Sequence, residues 1–341
     1  MEKPATKNNE ILTLLRVKMK AIVLNKYGGP AHLKLAEVAK PKPKDDQVLV
    51  KVYAASVNSA DYRLLSGLIP RLMGFGLFRP NNKIMGADIA GQVEAVGKKV
   101  TKFKVGDEVF GDIATAFGGF AEYAYAREVI LVKKPVNLTF EQAASVPMAA
   151  VTALQGLRKG GIKPGDHVVV VGASGGVGTF AVQIAKALGA EITAISSTKK
   201  LERLRSLGAD HVIDYTREDF TRSSQRYDLI LAVNGYRPLA EYRRALKPLG
   251  TYVMVGGEGR QISESLMMGP LVSRRGSQTV TSLAATPNAD DLSFVKDLIE
   301  AGKVHPVIDQ FYPLENTADA VRYVGAGHAA GKVIIRIEKF L

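Results

Sequence analysis

Four valines, Val168 to Val171, run into GASGGVG, a turn built almost entirely of small side chains, and an amphipathic stretch follows at once. In that stretch Val177, Phe180, Ala181, Ile184, Ala185 and Leu188 recur every three or four residues, which marks one face of a helix. A strand joined to a helix by so little side chain leaves the first backbone N–H groups of the helix open to an anion. Ala173, Gly175 and Gly178 stand at the three positions of a dinucleotide-binding fingerprint, with Ala173 where its first glycine is expected. The middle glycine lets a pyrophosphate approach, and the last lets helix and strand pack closely. Ser174, Gly176 and Val177 complete the turn, so all six residues are expected at the cofactor.

The same letters fit a second pattern. Gly172, Ser174 and Gly176 have the G-x-S-x-G spacing of a nucleophile elbow, which also lies between strand and helix. A serine hydrolase would then need an acid and a histidine downstream, where His211, His305 and His328 stand. The next apolar run, EITAIS, helps to choose. A dinucleotide fold places an acid on the ribose about 20 residues after the turn, or polar and basic groups when a 2′-phosphate is present. Ser197 follows Gly178 by 197 − 178 = 19 residues, and Ser196, Ser197, Thr198, Lys199 and Lys200 contain no carboxylate. Hydroxyl and ammonium groups there suit a phosphate dianion, which predicts NADPH rather than NADH. A simple helix cap at SSTKK is the alternative.

Around this unit the chain is organised in blocks. The first third carries β-branched alternation cut by Gly, Pro and Asp, as in QVLVKVYAASV and KVGDEVFG. From Val168 short apolar strands alternate with helical stretches, which implies a parallel sheet covered on both faces. The 341 residues hold no cysteine, which excludes disulfides, thiol catalysis and thiolate-bound metals and fits a cytoplasmic protein. The five histidines are dispersed, so none is assigned to a metal. No apolar run is long enough to span a membrane. A net charge of +13 allows a polyanion-binding protein, but the basic residues are scattered without a nucleic-acid motif, so nucleic acid is set aside as the partner.

Several segments stand in a telling order: AASVNSADYRLLSG, MGADIAGQVEAVG, KVGDEVFG, GGFAEYA, AASVPMAAVTALQGL, VVGASGGVG, SLGADHVIDY, LKPLGTYVMVGG and GHAAGKVII. In that order they resemble the zinc-independent quinone oxidoreductase-like (zeta-crystallin-like) branch of the medium-chain dehydrogenase/reductase superfamily, over about residues 18–338. The resemblance implies an α/β chain: an N-terminal extension (1–17), a GroES-like β-rich catalytic domain (18–138, completed by 284–341) and a Rossmann domain (139–283). It implies NADPH-dependent hydride transfer to a small molecule, either a quinone or the C=C bond of an α,β-unsaturated carbonyl. It also implies a homodimer through QTVTSLAA.

Zinc alcohol dehydrogenases of the superfamily place metal ligands where this chain has Asn58, Ala87 and Asp88. A catalytic zinc needs about three protein ligands, so metal-free chemistry is expected. By the same resemblance Asn58 lies near the nicotinamide, orienting it or donating to the substrate oxygen, with a loop cap as the alternative. Tyr62 and Arg63 stand near a family active-site tyrosine, and either could contact substrate. Thr152 is expected against the cofactor, and Tyr215 beside the 2′-phosphate with Lys200 opposite. Asn234, Gly256 and Gly257 end strands at the sheet's carboxyl edge, where a ligand crevice is expected.

Overall fold

The computed structural model describes residues 17–65, 76, 80, 81, 83–257 and 259–337. The expected extension over 1–17 therefore lies outside the described residues except for Val17, as does much of RLLSGLIPRLMGFGLFRPNNK.

Why the valine run is buried follows from its place in the sheet. Six parallel strands lie side by side in the order His211–Asp214, Glu191–Ser196, His167–Val171, Tyr227–Ala232, Leu246–Met254 and Thr279–Ser282. Val168 sits in register with Ile192 on one side and Leu229 on the other, so the valine strand has a neighbour along both edges. Alternate side chains then serve opposite faces. Val168 and Val170 join the core beneath helices Pro147–Lys159 and Gly176–Ala187, whereas Val169 and Val171 join the core beneath helix Leu239–Ala245. The chain starts at a central strand, winds outward, then returns to wind the other way. That reversal opens a crevice at the carboxyl ends of His167–Val171 and Tyr227–Ala232.

A second sheet runs Ile308–Pro313, Lys332–Arg336, Gln47–Val57, Asp88–Val96, Glu108–Asp112 and Leu131–Lys133, with Tyr123–Arg127 also paired to Gln47–Val57. The C-terminal strand thus returns to the N-terminal β region, with Val333 opposite Val57. A separate pair, Lys18–Leu24 and Leu33–Ala39, packs alongside. Helix Phe140–Ala144 lies on Gln47–Val57 and Asp88–Val96, while helix Ala289–Glu300 packs on Pro147–Lys159.

Two segments depart from a simple reading. LKPLG, which the alternation of helices and apolar strands from Val168 places at the end of a helix before TYVMVGG, starts the strand Leu246–Met254 instead, with Leu249 at φ +65° where the chain kinks into it. RQISESLMMGPLVSRRG, for which the sequence pattern yields no conformation, lies in a 17-residue helix, Gly259–Arg275, with Pro270 inside it. Proline removes a helical hydrogen bond and crowds the preceding turn, which hides such a helix from propensity rules.

Candidate active site

The crevice is a cleft of about 1010 Å³ between the two sheets. On the parallel-sheet side it is lined by Gly172, Ser174, Gly175, Gly176 and Val177, then by Ser196, Ser197, Lys200 and Tyr215. Thr152, Asn234, Gly256 and Gly257 line it as well, and Asn58, Tyr62 and Arg63 face it from the other side. Fifteen of the seventeen residues singled out from the sequence thus open on one space. The other two, Ala173 and Gly178, lie behind the turn. Ala173 is fully buried, and a Cβ on Gly178 would come within 2.3 Å of the Gly172 carbonyl oxygen.

The turn suits a pyrophosphate. Helix Gly176–Ala187 begins at the cleft, and the first N–H groups of a helix have no partner within it. A Cβ on Gly175 would meet nothing nearer than the Gly172 oxygen at 3.7 Å, so bare backbone faces the space there. Beyond it Ser196 Oγ donates to Ser174 Oγ at 2.8 Å. That bond corrects the elbow reading: the hydroxyl of Ser174 is met by a serine rather than a histidine, and Ser174 does not have the positive φ of a strained elbow. His211 pairs with Glu191 at the other edge of the sheet.

At the far end of the cleft Tyr215 is 56% exposed, and Lys200 Nζ donates to the His328 carbonyl at 3.0 Å. The nearby carboxylate of Asp214 is taken up by Thr198 Oγ1 and by the N–H and hydroxyl of Thr216. Its charge is thereby satisfied locally, and the Thr198 hydroxyl is committed to it, which leaves Ser196, Ser197 and Lys200 of that run lining the cleft.

On the opposite wall the short helix Ser59–Leu64 carries Tyr62 and Arg63. Arg63 Nη2 reaches across to donate to the Gly257 carbonyl at 2.7 Å, joining the two sheets' domains at the mouth. Tyr62 packs against helix Thr317–Gly325, so close that a Cβ on Gly325 would fall 2.3 Å from its ring.

Beneath Asn58 is a buried polar network. Asp88, with no exposed surface, accepts from Ser56 Oγ at 2.8 Å, Asn58 Nδ2 at 2.9 Å and the Met148 N–H at 2.8 Å. Lys332, 3% exposed, places Nζ 2.7 Å from Asn58 Oδ1 and 3.2 Å from Asp88 Oδ2. Asp61 accepts from the Asn58 N–H at 2.8 Å; burial, then repulsion from Asp88, pushes its carboxyl up to about 7 against the pull of hydrogen bonds and Lys332. Burial and the same Asp88 charge push Asp112 up to about 7 as well. Three carboxyl groups thus share one ammonium.

Lys332 is the site residue that sequence reasoning passed over. A signal was present: a lysine at the head of the apolar strand KVIIR, and an aspartate at the head of DIAGQV, are opposite charges in segments that must be buried. Arg237 also lines the cleft without having been singled out, its guanidinium held by Asp219 at 2.9 Å, and His328, named only for the hydrolase reading, lines it too.

Among the described residues no helix is long and apolar enough to cross a membrane. Comparison with known proteins finds the family model described as alcohol dehydrogenase GroES-like domain over residues 44–136, and that described as zinc-binding dehydrogenase over 207–335. The chain is 36% identical to the 2-methylene-furan-3-one reductase of Solanum lycopersicum, over 93% of this chain and 79% of that protein. It is 35% identical to the chloroplastic NADPH-dependent alkenal/one oxidoreductase of Arabidopsis thaliana, with the same coverage. Among solved structures it superposes on the quinone oxidoreductase from Coxiella burnetii with a TM-score of 0.85 and 28% identity, over 94% of this chain and all of that one.

Proposed function

This chain belongs to the medium-chain dehydrogenase/reductase superfamily as a quinone/enone reductase-like oxidoreductase with a dinucleotide-binding Rossmann domain, and from that footing we propose that it is an NADPH-dependent, metal-free reductase of quinones or of the C=C bond of α,β-unsaturated carbonyls. One observation carries the reading. The glycine turn, the Ser197–Lys200–Tyr215 set and the polar wall of Asn58, Tyr62 and Arg63 line a single cleft.

When bound, the reduced nicotinamide supplies a hydride for an electron-poor carbon conjugated to a carbonyl. The chain's own residues do the rest. Backbone N–H groups of the turn and the start of helix Gly176–Ala187 hold the pyrophosphate, while Lys200 and Ser197 hold the 2′-phosphate beside Tyr215. As charge gathers on the substrate oxygen, donors on the opposite wall meet it, and Asn58 is the best placed of these. Burial of the network under Asn58 keeps water from competing at that wall.

A zinc ion does not fit the donor set. Of the three positions that carry ligands in the metal enzymes, Ala87 has no donor atom, and Asn58 and Asp88 are both already bonded to the Lys332 ammonium. A second cation there would be repelled. The expected result is NADPH oxidation with a simple quinone or enone at a rate unchanged by dialysis against a strong chelator; a rate lost to the chelator and restored by zinc overturns the metal-free reading.

The coenzyme preference has its own test. A charge-assisted hydrogen bond to a phosphate contributes about 1.5–3 kcal/mol, roughly 10- to 100-fold in affinity. Lys200→Ala is expected to raise KM for NADPH by roughly that factor and to leave KM for NADH nearly unchanged. An equal rise for both coenzymes contradicts the 2′-phosphate assignment. Losing the Lys200 bond to His328 affects both alike, so the ratio isolates the phosphate.

A further inference from the structure

Resting on that reading of the cleft, we propose that Lys332 is the positioning residue of the reaction: it locks the Asn58 amide so that an N–H, never the carbonyl oxygen, is presented to the substrate oxygen.

The argument begins with donor and acceptor chemistry. An ammonium has three N–H donors and no acceptor, while an ionised carboxylate can only accept. Asn58 stands between the two, with Oδ1 2.7 Å from Lys332 Nζ and Nδ2 2.9 Å from Asp88 Oδ2. Flipping the amide would set its NH₂ against the ammonium and its oxygen against the carboxylate, losing both bonds at once. Both neighbours are almost wholly buried, so water cannot compensate for the loss. The orientation is therefore dictated by the pair rather than chosen among equals. Nδ2 carries two hydrogens, of which Asp88 takes one, and Asn58 lines the cleft. The other is available to a ligand's oxygen.

Asp88 is itself held by Ser56 Oγ and the Met148 N–H, so the carboxylate does not swing away with the amide. The lysine is fixed from the cofactor side too. A Cβ on Gly176 would come within 2.8 Å of Lys332 Cδ, so the lysine stem runs directly behind the phosphate-binding turn. One side chain thereby references the substrate-facing amide to the backbone that seats the coenzyme. Without Lys332 the amide keeps only its Nδ2 bond to Asp88, and its oxygen loses the ammonium that holds it within the wall; an oxygen turned toward the cleft would repel the developing charge rather than stabilise it.

A double-mutant cycle tests this. Loss of one such donor typically costs on the order of 100-fold in kcat. Lys332→Met and Asn58→Ala should each lower kcat for quinone reduction by about that factor, while the Kd of NADPH, measured by calorimetry, stays within about threefold of wild type. Because the lysine acts through the amide, the double variant should be no more than about threefold below the worse single variant. Fully additive losses overturn the proposal, as does a Lys332→Met kcat within about threefold of wild type, or a nucleotide affinity that falls as far as kcat. Removing the ammonium leaves Asp88 uncompensated, so if Lys332→Met does not fold, the cycle is run in an Asp88→Asn background and judged by the same limits. A wild-type chain that binds NADPH but reduces neither quinones nor enones sinks the functional reading, and this one with it, before any variant is compared.

Discussion

Gly178→Ala is expected to destabilise the chain by about 3 kcal/mol or more and to abolish measurable NADPH binding, although Gly178 does not line the cleft. The cause is space. A Cβ there would lie 2.3 Å from the Gly172 oxygen and 2.6 Å from the Ala173 carbonyl carbon and oxygen. All of these are backbone atoms, so no rotamer change relieves the contact, and helix Gly176–Ala187 must move off its strand. Gly175→Ala makes the contrast. Its Cβ meets nothing closer than 3.7 Å, so stability should change by no more than about 0.5 kcal/mol. The methyl group nevertheless intrudes on the bare backbone facing the cleft, and NADPH affinity should fall at least about tenfold. Denaturant melts and calorimetry on the two variants separate the roles. A Gly178→Ala variant with wild-type midpoint and wild-type affinity would show that the helix can give way and that close packing is not the constraint.

The second large effect is one of stability against pH. Asp112 is displaced from an ordinary value of 3.8 to about 7, first by burial and then by the Asp88 charge, and Asp61 is displaced similarly. Between those limits the folded chain binds more protons than the unfolded one. The stability these groups contribute is therefore fully present below about pH 4 and is lost as pH rises through about 7. Asp112→Asn keeps an oxygen to accept from the Ala114 N–H and removes the titration. It should stabilise the chain at pH 8 by on the order of 3 kcal/mol and have little effect near pH 4. The measurement is a pair of denaturant titrations at each pH. A variant equally stabilising at both values, or destabilising at pH 8, would mean that Asp112 is not held against its ionisation.

How much of this was legible beforehand depends on whether the determining contact is local. The strand, turn and helix around GASGGVG could be read because valine alternation, helical spacing and small turn residues all lie within one window. The alternation beyond it carried the parallel sheet, and Ser196, Ser197 and Lys200 of the hydroxyl and ammonium run reached the cleft. The GroES-like half rested on resemblance, because Lys332–Arg336 joins Gln47–Val57 across most of the chain length, and no local pattern encodes that pairing. The same distance concealed Lys332: its partners Asn58 and Asp88 lie 274 and 244 residues away. Helix Gly259–Arg275 was hidden for a different reason, since Pro270 breaks the propensity signal while Leu266, Met267, Met268 and Leu271 on its exposed side blur the apolar stripe.

The contact between Tyr62 and Gly325 bears on how such a protein could change its diet. The phenol ring rests on a position that has no side chain and that itself lines the chamber. Growth of even one carbon at 325 obliges the ring to shift on a wall of the chamber. Selection could therefore resize the chamber by way of one bare backbone position on a late helix, moving an aromatic wall from the first third of the chain while the reacting groups stay untouched.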